Sequence, residues 1–330
     1  MGGARARDVA TRAGVSVGSV SNYFNRPDLV SVENRERIRA AIDELDYVPN
    51  ASARELRGGG PQTIGYLTFE IDNPFSAAVH EGADLRAAEL GYTLLTASSR
   101  ADVTREAEYL SLFERRRFSG IIASPSSVVG GTLAAIHRRG MAVAAVDWSL
   151  PDAAFPIVGV DDRRGGELAA RHLVDQGFRT LVFVGADDHL DLVRRRLEGV
   201  RDVVAASPGV RLEVAGSRDR SVAGGREFAS HLAMRGEPVG YVAVNDLVGL
   251  GILQVLSRNG RSDIDGVVGF DDLDILHDVV PLSSIRRPSH DLGRLAVDAI
   301  DATLRGGRTP EQVWLEPELI ARASSVHRSE

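Results

Sequence analysis

The 330-residue chain contains no cysteine and no lysine. The first absence excludes disulfides and thiolate metal sites. The second makes all 39 basic residues arginines, which removes a Walker-type phosphate loop, a Schiff-base lysine and pyridoxal-phosphate attachment. No apolar run reaches membrane-spanning length, and the N-terminus lacks the hydrophobic segment of a secretory signal. Cytoplasmic residence with no membrane partner is the resulting expectation. The eight histidines show no His-Glu-x-x-His or similar metal spacing. No metal site, cofactor or catalytic residue is expected.

What is present is a soluble-protein composition, 43% hydrophobic, at a length that suits two or three domains. The net charge of −7 is unevenly spread. Residues 1–27 carry four arginines against Asp8, and residues 1–60 carry nine against eight acids, so the acidity resides in the remainder. A weakly basic N-terminal region binds nucleic acid modestly as a monomer, so dimerisation is expected to be necessary.

Residues 7–25 have the form of two short helices meeting at a tight turn. Val9 and Ala10 give the first an apolar edge, Gly14 suits the left-handed residue that ends it, and Val15 plugs the corner. Ser16 is placed to cap the second helix, whose inward face is Val20 and Phe24. Val17, Gly18, Ser21, Asn22 and Asn25 are left largely outward, as candidate base and phosphate contacts. The segment Gly14-Val15-Ser16-Val17-Gly18 also matches a nucleophile elbow, but a polar, helix-patterned stretch precedes it where that motif needs a core strand. Ser31 is placed to cap a third helix from about Val32 to Asp46, closing a small three-helix core with Ile38, Ala41, Ile42 and Leu45.

Beyond Thr63, short apolar runs alternate with helical stretches. Strand candidates are 64–69, 93–97, 120–124, 142–147, 181–184, 212–214, 241–244 and 267–270, with helices such as 77–90, 106–116, 166–176, 190–205, 222–234 and 247–258. This alternation implies parallel sheets covered on both faces. Two sheets fit, with a break near Val160–Gly165 and a return near Ile285–Pro288.

The headpiece, the segment Tyr47 to Pro61 and a series of fragments in order resemble the lactose-repressor (LacI/GalR) family of bacterial transcription regulators. Those fragments are Asp72-Asn73-Pro74-Phe75, Val146-Asp147, Val160-Asp161, Arg196-Leu197-Glu198-Gly199, Val244-Asn245-Asp246 and Val268-Gly269-Phe270-Asp271. The resemblance implies an all-α helix-turn-helix headpiece (1–47), a hinge helix and linker (48–60) and an α/β periplasmic-binding-protein-like body (61–330). That body comprises two doubly wound parallel-sheet lobes, about 61–160 with 289–318 and 161–288 with 319–330. It implies a homodimer on double-stranded, pseudo-palindromic operator DNA, controlled by a small-molecule effector between the lobes, with repression and effector-induced release as the favoured mode. With no leucine heptads near the C-terminus, nothing points to a tetramerising bundle.

By resemblance, Ser16, Val17, Gly18, Ser19, Ser21, Asn22, Asn25, Ser31, Tyr47, Asn50, Ala53 and Leu56 are the DNA-contact candidates. Val17, Gly18 and Asn22 are the principal base readers, and an asparagine at 22 favours adenine. Leu56 is either a minor-groove wedge or a leucine docked on the body. The effector candidates are Phe75 as an apolar face, with Asp147, Arg196, Asn245 and Asp271 as polar partners, although an aspartate after a strand also caps helices. Trp148, Arg220 and Arg287 depart from the usual sugar-binding pattern. The two arginines suggest a sugar acid or sugar phosphate rather than a neutral sugar. A solute receptor explains the lobes but not residues 5–57, and an enzyme of sugar metabolism needs a catalytic constellation that is not evident.

Overall fold

A computed structural model describes residues 4–47, 63–125, 130–148, 153–185, 190–217, 219–230, 236–307 and 311–326. Asn50, Ala53 and Leu56 lie outside the described residues. The chain divides into two compact units, Met1–Pro61 and Gln62–Glu330.

The N-terminal unit holds α1 (Ala6–Ala13), α2 (Val17–Asn25) and α3 (Val32–Glu44). Asp8 accepts a hydrogen bond from the Arg5 amide at 2.8 Å, starting α1. Gly14, at φ 64°, ends it in the left-handed conformation. Ser16 and Ser31 accept from the amides of Ser19 (3.0 Å) and Asn34 (3.3 Å), so both expected caps form. Val9, Ala10, Ala13, Val20, Val30, Ile38 and Ala41 form the core, and Phe24, Ile42, Leu45 and Tyr47 pack against it.

In the second unit one sheet runs in the order β11-β5-β4-β3-β1-β2. Its strands are β1 (Thr63–Thr68), β2 (Thr93–Ser98), β3 (Gly120–Ser124), β4 (Ala142–Val146), β5 (Ile157–Val160) and β11 (Gln312–Leu315). The other runs β12-β10-β9-β8-β6-β7. It consists of β6 (Thr180–Val184), β7 (Arg211–Ala215), β8 (Val239–Ala243), β9 (Gly266–Asp271), β10 (Ser283–Arg286) and β12 (Glu318–Ile320). Every pairing is parallel except β10 with β12. Their near-continuous apolar runs, such as Ala142–Val146 and Thr180–Val184, are buried along their whole length, as sheets covered on both faces require.

The helices between strands are α4 (Pro74–Glu89), α5 (Val103–Arg115), α6 (Gly130–Arg138), α7 (Asp162–Asp175), α8 (Asp191–Ala205), α9 (Val222–Ser230), α10 (Asp246–Arg258) and α11 (Ser289–Leu304). The chain passes between lobes after β5, after β10 and between β11 and β12. Accordingly Leu292, Ala296, Val297 and Ile300 of α11 pack in the first lobe with Ile64, Val79 and Val158. Ala169, Ala170 and Leu173 of α7 pack in the second with Leu181 and Val242.

Candidate functional site

Two places carry the chemistry. The first is the outer side of α2, preceded by the Gly14 turn. Ser16, Val17 and Gly18 are exposed, Val17 at 41%. Ser19, Ser21 and Asn22 are half-buried, and Ser16 and Ser19 share a hydroxyl hydrogen bond of 2.9 Å. Asn25 is the last residue of the helix. No charged side chain occurs in α2, so its N-terminal amides present the positive end of the helix dipole uncompensated. Ser31 acts as the cap of α3, and the Tyr47 ring lies 6.4 Å from that of Phe24.

The second place is the cleft where strand ends of the two lobes meet. Asn73 caps α4 by accepting from the Phe75 amide at 3.0 Å, and Pro74 occupies the first turn. This sets the Phe75 ring, 7% exposed, in the cleft wall. Asp147 follows β4 at φ 54° and Asp271 ends β9 at φ 107°. A left-handed backbone at non-glycine residues is costly and concentrates at functional sites. Here it turns two carboxylates from opposite lobes toward one cation. Arg287, just beyond β10, donates from Nη2 to Asp147 Oδ2 at 2.5 Å and from Nη1 to Asp271 Oδ1 at 3.1 Å. Its guanidinium carbon lies 4.0 Å from the centre of the Phe75 ring.

Arg196 on α8 belongs to the same cluster rather than to a solvated helix face. It is 2% exposed, donates from Nε to Asp162 Oδ1 at 2.8 Å and from Nη1 to the Val244 carbonyl at 2.5 Å, and stacks 4.3 Å over Phe270. Helix crossing holds it there: a Cβ at Gly166 would collide with the Arg196 carbonyl, and one at Gly199 with that of Arg163. Arg220 reaches Glu70 at 3.4 Å and Phe69 at 5.2 Å. Asn245 accepts from the Val248 amide at 2.9 Å as the cap of α10 and donates to the Arg220 carbonyl at 3.0 Å.

Trp148 requires a correction. Although it follows Asp147, the left-handed turn sends it into the core with Leu67, Leu133, Val143 and Phe155, and it does not line the cleft. Asp162 and Glu70 complete the charge cluster but were not anticipated from sequence. The doublet Asp161-Asp162 contained a signal for the former: Asp161 caps α7 by accepting from Arg164 N at 3.1 Å, leaving the second carboxylate for Arg196.

The electrostatics follow from burial. Three guanidiniums (Arg196, Arg220, Arg287) face four carboxylates (Glu70, Asp147, Asp162, Asp271). Burial pushes Asp271 up to about 6, against the pull of Arg287 and Arg196. Burial likewise raises Asp147 despite Arg287. Asp246, buried beside Asp271, is raised well above the usual range. It accepts from Ser284 Oγ (2.6 Å) and the Leu273 amide (2.9 Å), fixing the turn after β9. Asp147 Oδ1, Arg196 Nη2 and Arg287 Nε are buried with no hydrogen-bond partner, although Arg287 Nε stands 3.7 Å from Asp162 Oδ1. Among the described residues, one pocket between the lobes holds about 40 Å³. A larger cavity of about 320 Å³ shares Phe75, Asp271 and Arg287 as walls.

A helix-turn-helix unit joined to a two-lobed, doubly wound α/β body defines the class of helix-turn-helix transcription regulators with a periplasmic-binding-protein-like domain. Residues 6–50 match the model of bacterial regulatory proteins of the lacI family, and residues 170–325 match the periplasmic binding protein-like domain. The HTH-type transcriptional regulator PtxS of Pseudomonas aeruginosa is 31% identical over 328 residues, covering 97% of this chain and 95% of that protein. The lac repressor dimer bound to operator and the anti-inducer ONPF has a TM-score of 0.84 at 23% identity, covering 98% and 100% of the two chains, a likeness of fold. The complex of the regulator CelR with cellobiose has a TM-score of 0.72 at 25% identity, covering 97% and 99%. The chain belongs to the lacI family of bacterial regulatory proteins.

Proposed function

We propose that this protein is a dimeric repressor that reads a pseudo-palindromic operator through α2 and is released by an effector bound between the lobes. The observation that carries the reading is the presence in one chain of an uncharged, outward helix face behind the Gly14 turn and a cleft lined by convergent polar groups. The headpiece occupies residues 1–47, the hinge and linker 48–60 and the body 61–330. Val17, Gly18 and Asn22 read bases, with Ser16, Ser19, Ser21, Asn25, Ser31, Tyr47, Asn50 and Ala53 contributing other DNA contacts. Leu56 wedges into the minor groove at the operator centre, and DNA bending that persists in Leu56→Ala at unchanged affinity rejects that role. Acting on the genome, the protein works in the cytoplasm and catalyses no reaction; among the described residues no helix is long and apolar enough to cross a membrane.

Phe75 supplies the apolar face for the effector, Asp147, Arg196, Asn245, Asp271 and Arg220 are its polar partners, and Arg287 stands at the same place, held by Asp147 and Asp271. Because each of the three arginines already faces a carboxylate, the cleft offers no net positive charge to an anion. A neutral sugar therefore fits better than a sugar acid or sugar phosphate, in keeping with the cellobiose of the CelR complex. Calorimetry against neutral sugars, uronic acids and sugar phosphates tests the class, and binding confined to the anions overturns it. Selection of bound duplexes from a random pool tests the main reading. Enrichment of a pseudo-palindrome with adenine at the base facing Asn22 is expected, and no enrichment with or without sugars refutes it.

A further inference from the structure

Arg287 sits in the cleft in the manner of a bound ligand. Its planar cation lies against an aromatic face at 4.0 Å and is gripped by one carboxylate from each lobe. Phe75, Asp147 and Asp271 are the groups assigned above to the effector, and Arg287, 4% exposed, occupies them. With the guanidinium there, the pocket that the described residues form around Phe75, Asp147 and Asp271 holds about 40 Å³, room for a water or two and too little for a sugar.

The fit is also incomplete. Arg287 Nε makes no hydrogen bond and stands 3.7 Å from Asp162 Oδ1, and Asp147 Oδ1 is buried without a hydrogen-bond partner, so a molecule with its own donors has something to gain at Asp147. The arginine in turn has somewhere to go. The 320 Å³ cavity across the Phe75 and Arg287 wall is lined by Asp274 and Asp291 together with Arg286, His290 and Asp272; Asp272 is already held by Arg286 and Arg322, whereas the Asp274 side chain is 91% exposed. Arg287 is a wall of both cavities, so the outer one is the neighbouring space into which its guanidinium can be displaced.

We propose that Arg287 is a tethered occupant of the cleft, which an effector must displace from Asp147 and Asp271 into the outer cavity. The inference rests on the reading of the cleft as the effector site. Its consequence is a built-in threshold: if the guanidinium is in place 99% of the time, the apparent dissociation constant is raised about 100-fold over that of the vacated cleft. It also explains how the two lobes are held together by an ion pair of the chain itself.

The test is chemical replacement of the side chain in full-length protein. Arg287→Ala is titrated with ethylguanidinium by calorimetry and in thermal melts, with butylammonium as a cation of the same charge lacking the planar fork. The variant is expected to bind ethylguanidinium at least tenfold more tightly than butylammonium. A tenfold excess over its dissociation constant should raise the melting midpoint by about 3 °C, while wild type shows neither response. Should the unpaired carboxylates prevent folding of Arg287→Ala, the double variant Asp147→Asn/Arg287→Ala removes one of them and is expected still to prefer ethylguanidinium over butylammonium through Asp271 and Phe75. Failure of a folded variant to prefer ethylguanidinium, or equal binding by wild type, overturns the proposal. If ethylguanidinium binds as expected but no sugar binds wild type or variant, the effector reading fails and the tethered occupant stands.

Discussion

The outer side of α2 and the inter-lobe cleft handle polar groups in opposite ways. The helix carries no charge from Val17 to Asn25 and leaves its first two residues exposed. The cleft packs three guanidiniums and four carboxylates together, most of them buried. Water pairs an exposed hydroxyl or amide at no cost, whereas a buried charge must find its partner within the protein. A surface built to meet DNA can therefore wait with short polar side chains. A buried cleft comes with its own ion pairs, and an incoming molecule competes with them.

The strongest way to break this contrast is to remove the central cation. Arg287→Ala strands Asp147 and Asp271 and is expected to cost about 3–5 kcal/mol in urea unfolding of the body, with headpiece unfolding unchanged. A loss below about 1 kcal/mol would mean that the two carboxylates need no internal counter-ion.

Next in size is a pH effect. The folded chain binds the Asp271 proton more tightly than the unfolded chain, with a value of about 6 against 3.8. The stabilisation from that proton is complete below pH 3.8 and is lost as pH rises through about 6. Asp271→Asn should therefore gain on wild type by on the order of 2 kcal/mol between pH 4 and 7, and parallel stability curves would reject the buried titration.

On the exposed side, Asn22→Ala should relax discrimination at one base pair per half-site by roughly 1–3 kcal/mol without altering body unfolding. Equal weakening on all sequences would mark a phosphate contact instead. The smallest effect is expected for Ser31→Ala, about 1 kcal/mol of headpiece stability through loss of the Asn34 amide cap. Amide exchange at the start of α3 reads it out, and unchanged protection there would show that the cap contributes nothing.

The two regions also differed in how far they could be read in advance. In the headpiece, Gly14, Ser16 and Ser31 act through neighbours a few residues away, and Val20 and Ile38 sit on the apolar faces of their helices, so turn chemistry and helical spacing located them. In the body, alternating apolar runs pointed to parallel strands, but β5, β10, β11 and β12 are three or four residues long, too short for a periodic signal. Asp147 and Asp271 were recognisable as residues following or ending strands. Trp148 was misplaced because one left-handed residue redirects the next side chain. Asp162 was hidden beside the capping Asp161.

The sequence by itself determined the helix-turn-helix, the alternation of strands and helices, and the identity of the groups near the strand ends, because caps, turns and hydrophobic period are short-range properties. Only the tertiary structure decided that Arg287 is held by Asp147 and Asp271 and that Arg196 is buried against Asp162. Whether an arginine is available to an anion or already neutralised depends on which carboxylates the lobe crossings bring within about 3 Å of it, and chain order does not specify that distance.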